Sequence, residues 1–518
     1  MYWLQEVCSE VSIFWVHANN AEGLRQSYAS IAQVFEIPGY EDSEVDIMLL
    51  VKRWLERKDR GQWLMVIDDV NDPQVFFDRS MAVSTSSQQE DLEHYIPQCA
   101  HGSILITTRN KQASLSLPNG ALSIEVREMH ENESEGLLHA MLEGVNVASS
   151  DLATLSSRLQ HVPIALVQAA AFIKEKSITV NEYLRLLNVG DSEDRAVLKT
   201  WKLSFEEIQR EDAFASELLS VMSFFDRQAI PLDFLADYSK QQQEPKGALL
   251  LNKAIGVLEA FSFVTKKKDN GLDMHRLVQL ATRNWLVKMG TVGHFAGQAL
   301  LAVSHCYPYG RHENRAVCGA YLAHAYVVLG GDGTGSRDEG LAKAALLHSV
   351  AGFFDYRGQW KDAEGFQKEA IDIRGDLLGP EHPDTLSSMA NLASTYRNQG
   401  RWEEAENLEV QVMETRKTKL GADHPSTLTS MANLASTYWN QGRWEEAEKL
   451  EVQVMETRKT KLGADHPSTL TSMANLASTY RNQGRWEEAK NLEVQVMETS
   501  KTKLGADHPS TLTSMANL

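Results

Sequence analysis

The carboxyl-terminal third of the chain repeats itself every 42 residues. Four tryptophans and the histidines of four His-Pro pairs recur at this spacing: Trp360, Trp402, Trp444, Trp486, His382, His424, His466 and His508. A repeat of this length marks a structural unit that buries its apolar face only by stacking on its neighbours. The sequence therefore predicts a solenoid over residues 342–518, in which the last unit is incomplete.

Each repeat has the pattern of a helical hairpin. One apolar stripe at helical spacing ends at Gly400, a second ends at Gly421, and glycine readily adopts the left-handed backbone that stops a helix. We predict that the His-Pro histidines are helix caps or loop residues, because no second metal ligand lies near any of them. The two stripes consist of Leu386, Met389, Leu392, Ala393 and Tyr396, and of Trp402, Ala405, Leu408, Val412 and Met413.

The repeat Leu-Ala-x-x-Tyr-x-x-x-Gly-Arg-Trp-x-x-Ala-Glu, which ends in Leu-Gly-x-x-His-Pro, resembles the tetratricopeptide repeats (TPRs) of kinesin light chains and of many fungal receptor-like proteins. The resemblance implies a groove that binds a protein or peptide ligand, with an asparagine holding the ligand's backbone. Asn391, Asn433 and Asn475 occupy the matching position. An equally acceptable interpretation is that these asparagines only form hydrogen bonds with neighbouring helices.

Two apolar stretches near the amino terminus end in polar residues that suit phosphate chemistry. Asp68 and Asp69 follow one stretch, and Thr107, Thr108 and Arg109 follow the other. Short apolar runs of this kind indicate strands buried on both faces, and parallel sheets bind ligands beyond the carboxyl ends of their strands. Carboxylates bind Mg²⁺, and a guanidinium binds a phosphate with two hydrogen bonds. Each stretch by itself fits an ordinary turn or helix cap equally well.

Two further signals lie between these stretches and the repeats. Pro163, in the run that starts at His161, opens an apolar helix. His275 follows a predicted hairpin of strands 261–265 and 272–274, turned by Asn270-Gly271. The segment 206–287 therefore has the pattern of helices with a small wing. By itself, a histidine after a hairpin indicates a capping or core residue.

The order of these motifs is similar to that of the NB-ARC module of the signal-transducing ATPases (STAND class, NLR-like), in the fungal type that ends in TPRs. The resemblance implies that Asp68 binds Mg²⁺, Asp69 positions the hydrolytic water, and Arg109 with Thr108 contacts the terminal phosphate. It also implies that Pro163 packs near the adenine and that His275 contacts the ADP phosphate. His161 stands where the family has glycine, and Arg276 stands where it has aspartate.

The expected fold class is multidomain α/β plus α, with an incomplete P-loop NTPase-type parallel sheet, helical and winged-helix domains, and an α-solenoid of TPR hairpins. The resemblance divides the chain into five parts. They are a partial NB-ARC nucleotide-binding domain (1–130), a helical ARC subdomain (131–200), a winged-helix-like domain (201–290), a helical linker (291–341) and the TPRs (342–518).

The phosphate-binding loop of the NB-ARC family has no counterpart in this chain. The segment Met1–Leu4 corresponds to the middle of the helix that follows that loop. In P-loop proteins the strand before the loop lies between the Asp-pair strand and the sensor strand, so its loss either lets these strands close up or leaves the domain poorly folded. We expect a truncated gene model or partial copy. ADP or ATP with Mg²⁺, the cofactor of the family, should then bind weakly or not at all.

Charge and cysteine usage exclude several functional classes. The net charge of −19 disfavours nucleic-acid and anionic-membrane partners, and three lysines at 266–268 are a weak indication of a winged-helix DNA-binding protein. Four scattered cysteines and the lack of a signal peptide indicate a reduced, cytoplasmic protein.

Two functions fit these observations. The first is a nucleotide-gated regulator that senses a ligand through its repeats, forms homo-oligomers on activation and is at most a slow ATPase. The alternative is a non-enzymatic TPR scaffold that binds peptides and carries a degenerate nucleotide module.

Overall fold

The computed structural model describes residues 11–18, 21–40, 45–70, 92–108, 124–127, 129–145, 147–188, 196–241, 247–267, 271–331, 333–505 and 509–517. The chain forms two compact units, residues 1–308 with 313–342 and residues 309–312 with 343–518. None of the helices in the described ranges is long and apolar enough to cross a membrane. Met1–Leu4, Arg109, Asn270 and His508, which entered the sequence predictions, lie outside the described residues.

The first unit contains a three-stranded parallel sheet in the order β1-β2-β3. Its strands are β1 (Ser12–His17), β2 (Trp63–Asp68) and β3 (Gly102–Ile106), and helices α1 (Ala21–Val34) and α2 (Ile47–Leu55) accompany them. The apolar residues of β1 and β2 alternate with the strand period, so that one set faces the helices. The shared core consists of Phe14, Val16, Met65 and Ile67 with Leu24, Tyr28, Val51 and Leu55.

Strands β2 and β3 are direct neighbours, with pairing that runs from Trp63 opposite Gly102 to Ile67 opposite Ile106. Of the two outcomes expected for the sheet, the strands have therefore closed up. Predicted burial on both faces is confirmed for β2, in which Trp63, Met65, Val66 and Ile67 are buried. It is wrong for β3, where Leu105 is 48% exposed. Ser103 and Leu105 share one face of β3 and both are exposed, so this face is not packed against other elements.

Helices and one hairpin complete the first unit. The hairpin pairs β4 (Val264–Lys266) with β5 (Leu272–Met274) in antiparallel register. The first strand begins three residues later than predicted, because Phe261 and Phe263 are buried in a turn where Ser262 has a φ of 57°. The helices are α3 (Glu131–Met141), α4 (Ser149–Arg158), α5 (Pro163–Glu175), α6 (Val180–Asn188), α7 (Ala196–Glu211), α8 (Ala213–Met222), α9 (Leu232–Gln241), α10 (Gly247–Ala260), α11 (Arg276–Met289), α12 (Val292–Cys306) and α13 (Arg315–Leu329).

The repeats form the predicted helical hairpins. Three histidines that precede a helix-starting proline cap that helix, since Nδ1 of His382, His424 and His466 accepts the backbone N–H two residues later at 3.1–3.2 Å. The predicted capping role is confirmed for these three histidines. The helices are α14 (Arg337–Tyr356), α15 (Trp360–Leu378), α16 (Pro383–Asn398), α17 (Trp402–Leu420), α18 (Pro425–Asn440), α19 (Trp444–Leu462), α20 (Pro467–Asn482), α21 (Trp486–Leu504) and α22 (Pro509–Asn517).

The core of each hairpin follows the predicted stripes with one exception. All five predicted residues of the first stripe are buried, and so are Ala405 and Val412 of the second. The prediction that Trp402 is a core residue is wrong, because Trp402 is the first residue of α17 and is 39% exposed at the end of the hairpin. At the same turn, the Arg401 guanidinium lies 4.1 Å from the centre of the Tyr396 ring. This cation–π contact recurs in the next two hairpins and fixes each turn.

The contact between Trp63 and Gly102 yields a stability prediction. A Cβ atom at Gly102 would lie 2.1 Å from the indole of Trp63, whose Nε1–H donates to the Leu55 carbonyl at 3.0 Å. We expect Gly102→Ala to lower the free energy of unfolding of the first unit by about 1–3 kcal/mol through overpacking. Gly136→Ala is the control, since nothing lies within 4 Å of its Cβ position in α3. Equal stability of both variants in urea unfolding would contradict the prediction.

Candidate functional site

A cavity of about 530 Å³ lies at the carboxyl ends of β2 and β3. Ligands of parallel sheets bind at this edge, because the polar residues that follow adjacent strands meet there. The loop after α8 and the start of α11 supply the other side of the cavity. The lining residues are Asp68, Asp69, Thr107, Thr108, Arg227, His275, Arg276, Leu277 and Leu280.

Thr107 connects both aspartates. Its hydroxyl donates to Asp68 Oδ1 at 2.5 Å and accepts the backbone N–H of Asp69 at 2.9 Å. Asp69 has a φ of 69°, a left-handed conformation that is uncommon outside glycine and that clusters at functional sites. Sequence reasoning chose Thr108 as a binding residue and passed over Thr107. The signal that could have identified Thr107 is its place directly after β3, at the same edge as Asp68.

Arg227 forms an ion pair with Asp69 that the sequence did not reveal. Its Nη2 lies 3.1 Å from Asp69 Oδ2, and the two residues are 158 positions apart in the chain. The side chains are 22% and 15% exposed, so solvent screens the pair less than a surface pair. The Arg227 carbonyl also accepts the N–H of Met274 at 2.8 Å, which ties this loop to β5. No motif marks Arg227, because only folding brings it to the aspartates.

His275 both caps a helix and lines the cavity. Its Nδ1 accepts the N–H of Leu277 at 3.1 Å, the same arrangement as the His-Pro histidines of the repeats. The capping interpretation that the sequence left open is thus confirmed. Arg276, which replaces the family's aspartate, lines the same cavity. The lining of the cavity thus includes two arginines, of which Arg227 contacts a carboxylate, and two aspartates.

A further histidine, His17, lies at the carboxyl end of β1. Burial lowers its pKa, and the positive charge of Lys267 lowers it further. The carboxylates of Asp68, Asp226 and Asp273 oppose this shift. The imidazole is therefore predominantly neutral at neutral pH and adds no positive charge beside Asp68.

Four of the predicted cofactor residues lie together: Asp68, Asp69, Thr108 and His275. Pro163 begins α5 and is not among the described residues that line the cavity. His161, in the position where the family has glycine, has a φ of 55°. Its Nδ1 lies 2.9 Å from the Ser134 hydroxyl and 2.8 Å from the Ser156 hydroxyl, contacts that hold a non-glycine residue in a backbone region that favours glycine.

The donor groups of the cavity fit a divalent cation with a bound phosphate. Oxygen ligands suit Mg²⁺, and guanidinium groups suit phosphate oxygens. In the part of the chain that the structure describes, no three histidine, cysteine, aspartate or glutamate side chains cluster as a metal site. A cation held by Asp68 would thus need phosphate oxygens and water to complete its coordination, which is the usual situation for Mg²⁺.

The second candidate site is the row of asparagines on the first helices of the TPR hairpins. The Asn391 amide donates to the Tyr309 hydroxyl at 2.9 Å and lies 3.3 Å from His348 Nε2, so this residue contacts neighbouring elements of its own unit. Asn433 is half-buried and Asn475 is exposed. The Asn433 carbonyl accepts a hydrogen bond from Arg397 at 3.2 Å. Asn433 and Asn475 are therefore better placed than Asn391 to meet a ligand.

Buried glutamates recur on the second helices of the hairpins. Glu409 pairs with Arg397 at 3.2 Å, whereas Glu451 accepts a 2.7 Å hydrogen bond from the Thr479 hydroxyl. The pKa of Glu451 is raised to about 7, mainly by burial and to a smaller extent by the nearby Glu448, while the hydrogen bond from Thr479 opposes the rise. Burial also raises the pKa of Glu409, but Arg397 opposes that shift. The charge of Glu451 thus changes near neutral pH.

The ion pair between Arg227 and Asp69 can be tested with a double-mutant cycle. We expect Arg227→Gln and Asp69→Asn to show a coupling energy of about 1 kcal/mol or more in the unfolding of the first unit, because the pair is largely buried. The control is Arg57 with Asp59, a pair at 3.0 Å whose side chains are 59% and 55% exposed. That cycle should show little or no coupling, because solvent screens an exposed pair. Equal coupling in both cycles would contradict a special role for the buried pair.

Glu451 generates a prediction about pH. Its pKa is about 7 in the folded protein and near 4.5 when unfolded, so the folded state holds a proton that the unfolded state releases. Its contribution to stability is present below pH 4.5 and is lost as the pH rises through 7. We expect the free energy of unfolding of Glu451→Gln to rise by up to about 3 kcal/mol relative to that of the wild type between pH 5 and pH 8. The free energy of opening of α19 and α20, obtained from hydrogen exchange, measures this gain. Glu409→Gln should gain less stability over the same pH range.

Comparison with known proteins identifies the repeats. A family model for the tetratricopeptide repeat matches residues 344–384, 385–426, 427–468 and 469–510. A second model, for a domain of unknown function (DUF7779), matches residues 204–289. That second segment contains the Arg227 loop, the β4–β5 hairpin and α11.

One relative is a nucleotide-binding leucine-rich repeat (NLR)-like protein of Hyaloscypha variabilis, 37% identical over 405 residues. The match covers 73% of this chain, and the chain spans 40% of the length of that relative. Solved structures with some likeness include nearly identical TPR-like repeats of a putative kinesin light chain from Podosopora anserina, 26% identical, with coverages of 44% and 97% and a TM-score of 0.29. Another is a signal transduction ATPase (STAND) protein with a tetratricopeptide repeat sensor from Pyrococcus horikoshii, 13% identical, with coverages of 100% and 85% and a TM-score of 0.37. The chain thus resembles NLR-like proteins over most of its length and carries tetratricopeptide repeats over residues 344–510.

Proposed function

We propose that this chain is a nucleotide-gated signal-transduction regulator of the NLR/STAND type, whose TPRs bind a protein or peptide ligand. The observation that carries the proposal is the cavity where Asp68 and Asp69 meet Arg227, His275 and Arg276. A nucleoside diphosphate or triphosphate with Mg²⁺ is bound by carboxylates that hold the cation and by guanidinium groups that hold the phosphates. The lining of this cavity has two residues of each kind. The similarity to an NLR-like protein supports the same function.

The Arg227–Asp69 pair gives the site a means of switching. The Arg227 guanidinium has five N–H donors and donates to Asp69 through Nη2, so it would keep donors for a phosphate oxygen. A phosphate beside Arg227 and a cation beside the aspartates would each weaken the attraction between Arg227 and Asp69, while Asp68 would keep the Thr107 hydroxyl. Because Arg227 belongs to the loop tied to β5, the change is transmitted to that hairpin.

The activity that follows is regulatory. Any hydrolysis at Asp69 is slow, and the signal passes by ligand binding on the repeats, conformational change and assembly of copies of the chain. We place this activity in the cytoplasm, with a protein or peptide as the partner rather than nucleic acid or a membrane. The high negative charge supports a protein partner, because nucleic acid and anionic lipid repel such a surface.

The alternative function is a peptide-binding TPR scaffold with a degenerate nucleotide module. What favours it is that the Asp69 carboxylate is already paired with a guanidinium, so the site is internally neutralised and needs no nucleotide. The two functions differ in whether the purified protein carries bound nucleotide.

The first experiment is to purify the full chain, denature it and quantify the released ADP and ATP by ion-exchange chromatography. Close to one nucleotide per chain would support the regulator and would overturn the expectation that this chain binds nucleotide weakly or not at all. Asp68→Ala should then lower the released amount at least tenfold by removing the cation ligand. Asp59→Ala is the control, because this exposed aspartate lies outside the cavity. A folded wild-type protein that releases no nucleotide would favour the scaffold instead.

A further inference from the structure

Three consecutive TPR hairpins are nearly identical in sequence, and one of the few positions at which they differ lies near the end of the first helix. The segment Ser-Thr-Tyr-x-Asn-Gln-Gly-Arg-Trp recurs with Arg397, Trp439 and Arg481 at the variable position. Because the copies differ at few other positions, they form an internal comparison of the side chains at this position.

Each of the two arginines lies beside a glutamate of its own hairpin. Arg397 Nη1 lies 3.2 Å from Glu409 Oε1 and also donates to the Asn433 carbonyl at 3.2 Å. Arg481 Nη1 lies 3.6 Å from Glu493 Oε1. In each case a guanidinium on the first helix of the hairpin compensates a largely buried carboxylate on the second helix. Such compensation matters, because an unpaired buried carboxylate is costly.

The middle hairpin lacks this compensation. Glu451, which corresponds to Glu409 and Glu493, is only 6% exposed. No lysine, arginine or histidine nitrogen among the described residues forms a salt bridge with it, and the Thr479 hydroxyl is its hydrogen-bond donor. Trp439, in place of the arginine, is 37% exposed. The middle hairpin therefore combines a buried carboxylate with an accessible aromatic ring.

We propose that the middle hairpin binds an arginine or lysine side chain of a partner peptide, in the place that Arg397 and Arg481 fill in the flanking hairpins. The inference rests on the proposed peptide-binding function of the repeats and names the residue type that they recognise. Glu451 supplies the anion, and the Trp439 ring supplies a face for a cation–π contact. By correspondence with the Arg397–Asn433 contact, the Asn475 carbonyl supplies a further acceptor.

A basic side chain suits this site better than an apolar or acidic one. An apolar residue against Trp439 would leave Glu451 buried without a cation, and an acidic residue would add a second negative charge. The net charge of −19 further favours a basic partner through long-range attraction. Trp439 and Glu451 thus determine specificity, while the asparagine row contacts the backbone of the peptide.

The test uses a random 12-residue peptide library selected on the immobilised full chain, followed by fluorescence anisotropy of the best peptide. We expect enriched peptides to share one arginine or lysine. Replacing that arginine with citrulline, or that lysine with norleucine, should weaken binding at least tenfold by removing the charge. Trp439→Arg and Glu451→Gln should each weaken binding of the parent peptide by at least tenfold, because the first fills the site with the protein's own guanidinium and the second removes the anion.

Matched variants separate recognition from folding. Trp439→Arg recreates the sequence of the flanking hairpins, so circular dichroism and thermal unfolding should show an intact array. Arg397→Trp recreates the middle hairpin one repeat earlier and should add a second site, provided that the array remains folded. If the enriched peptides share no arginine or lysine, and Asn433→Ala and Asn475→Ala weaken their binding, this inference is wrong while the proposed peptide binding stands. If no peptide is enriched, the inference and the proposed peptide binding are both wrong.

Discussion

The candidate nucleotide site depends on the parallel pairing of β2 with β3. This pairing puts the residues after both strands at one edge, so that Thr107 contacts both Asp68 and Asp69. The contact of Trp63 with Gly102 at the other end of the same two strands requires the absence of a side chain at position 102. If the two strands were separated, the carboxylates would lose the hydroxyl that orders them, and the cavity would lose one wall.

The ion pair of Arg227 with Asp69 connects this edge to a loop that lies far away in the sequence. It gives the cavity a property that the strands alone lack, because a carboxylate proposed to handle water is held by a guanidinium suited to phosphate. Under the proposed function, a phosphate bound by Arg227 would weaken its pair with Asp69. The loop that carries Arg227 is hydrogen-bonded to β5, so a change at this pair would act on the hairpin.

Much of the cavity was predictable, and the part that was missed has a physical explanation. Asp68, Asp69 and Thr108 follow apolar strands, and strand ends are visible in the sequence as changes from apolar to polar residues. Arg227 does not follow a predicted strand, so no change from apolar to polar residues marks it. Its loop approaches the aspartates only through packing in the first unit. The same limit explains Glu451, whose local sequence differs from that of Glu409 only at Lys449 in place of Asn407. What differs is the residue on the facing helix, Trp439 in place of arginine.

The sequence by itself determined the TPR hairpins, their caps and their apolar stripes, because these depend on contacts between residues that are close in the chain and that recur every 42 residues. It also determined which strands end in groups suited to phosphate chemistry. Only the tertiary structure decided that β2 and β3 are neighbours, that Arg227 pairs with Asp69, and that the tryptophans at the hairpin ends are exposed. These features depend on long-range packing, for which no local periodicity or turn signal exists.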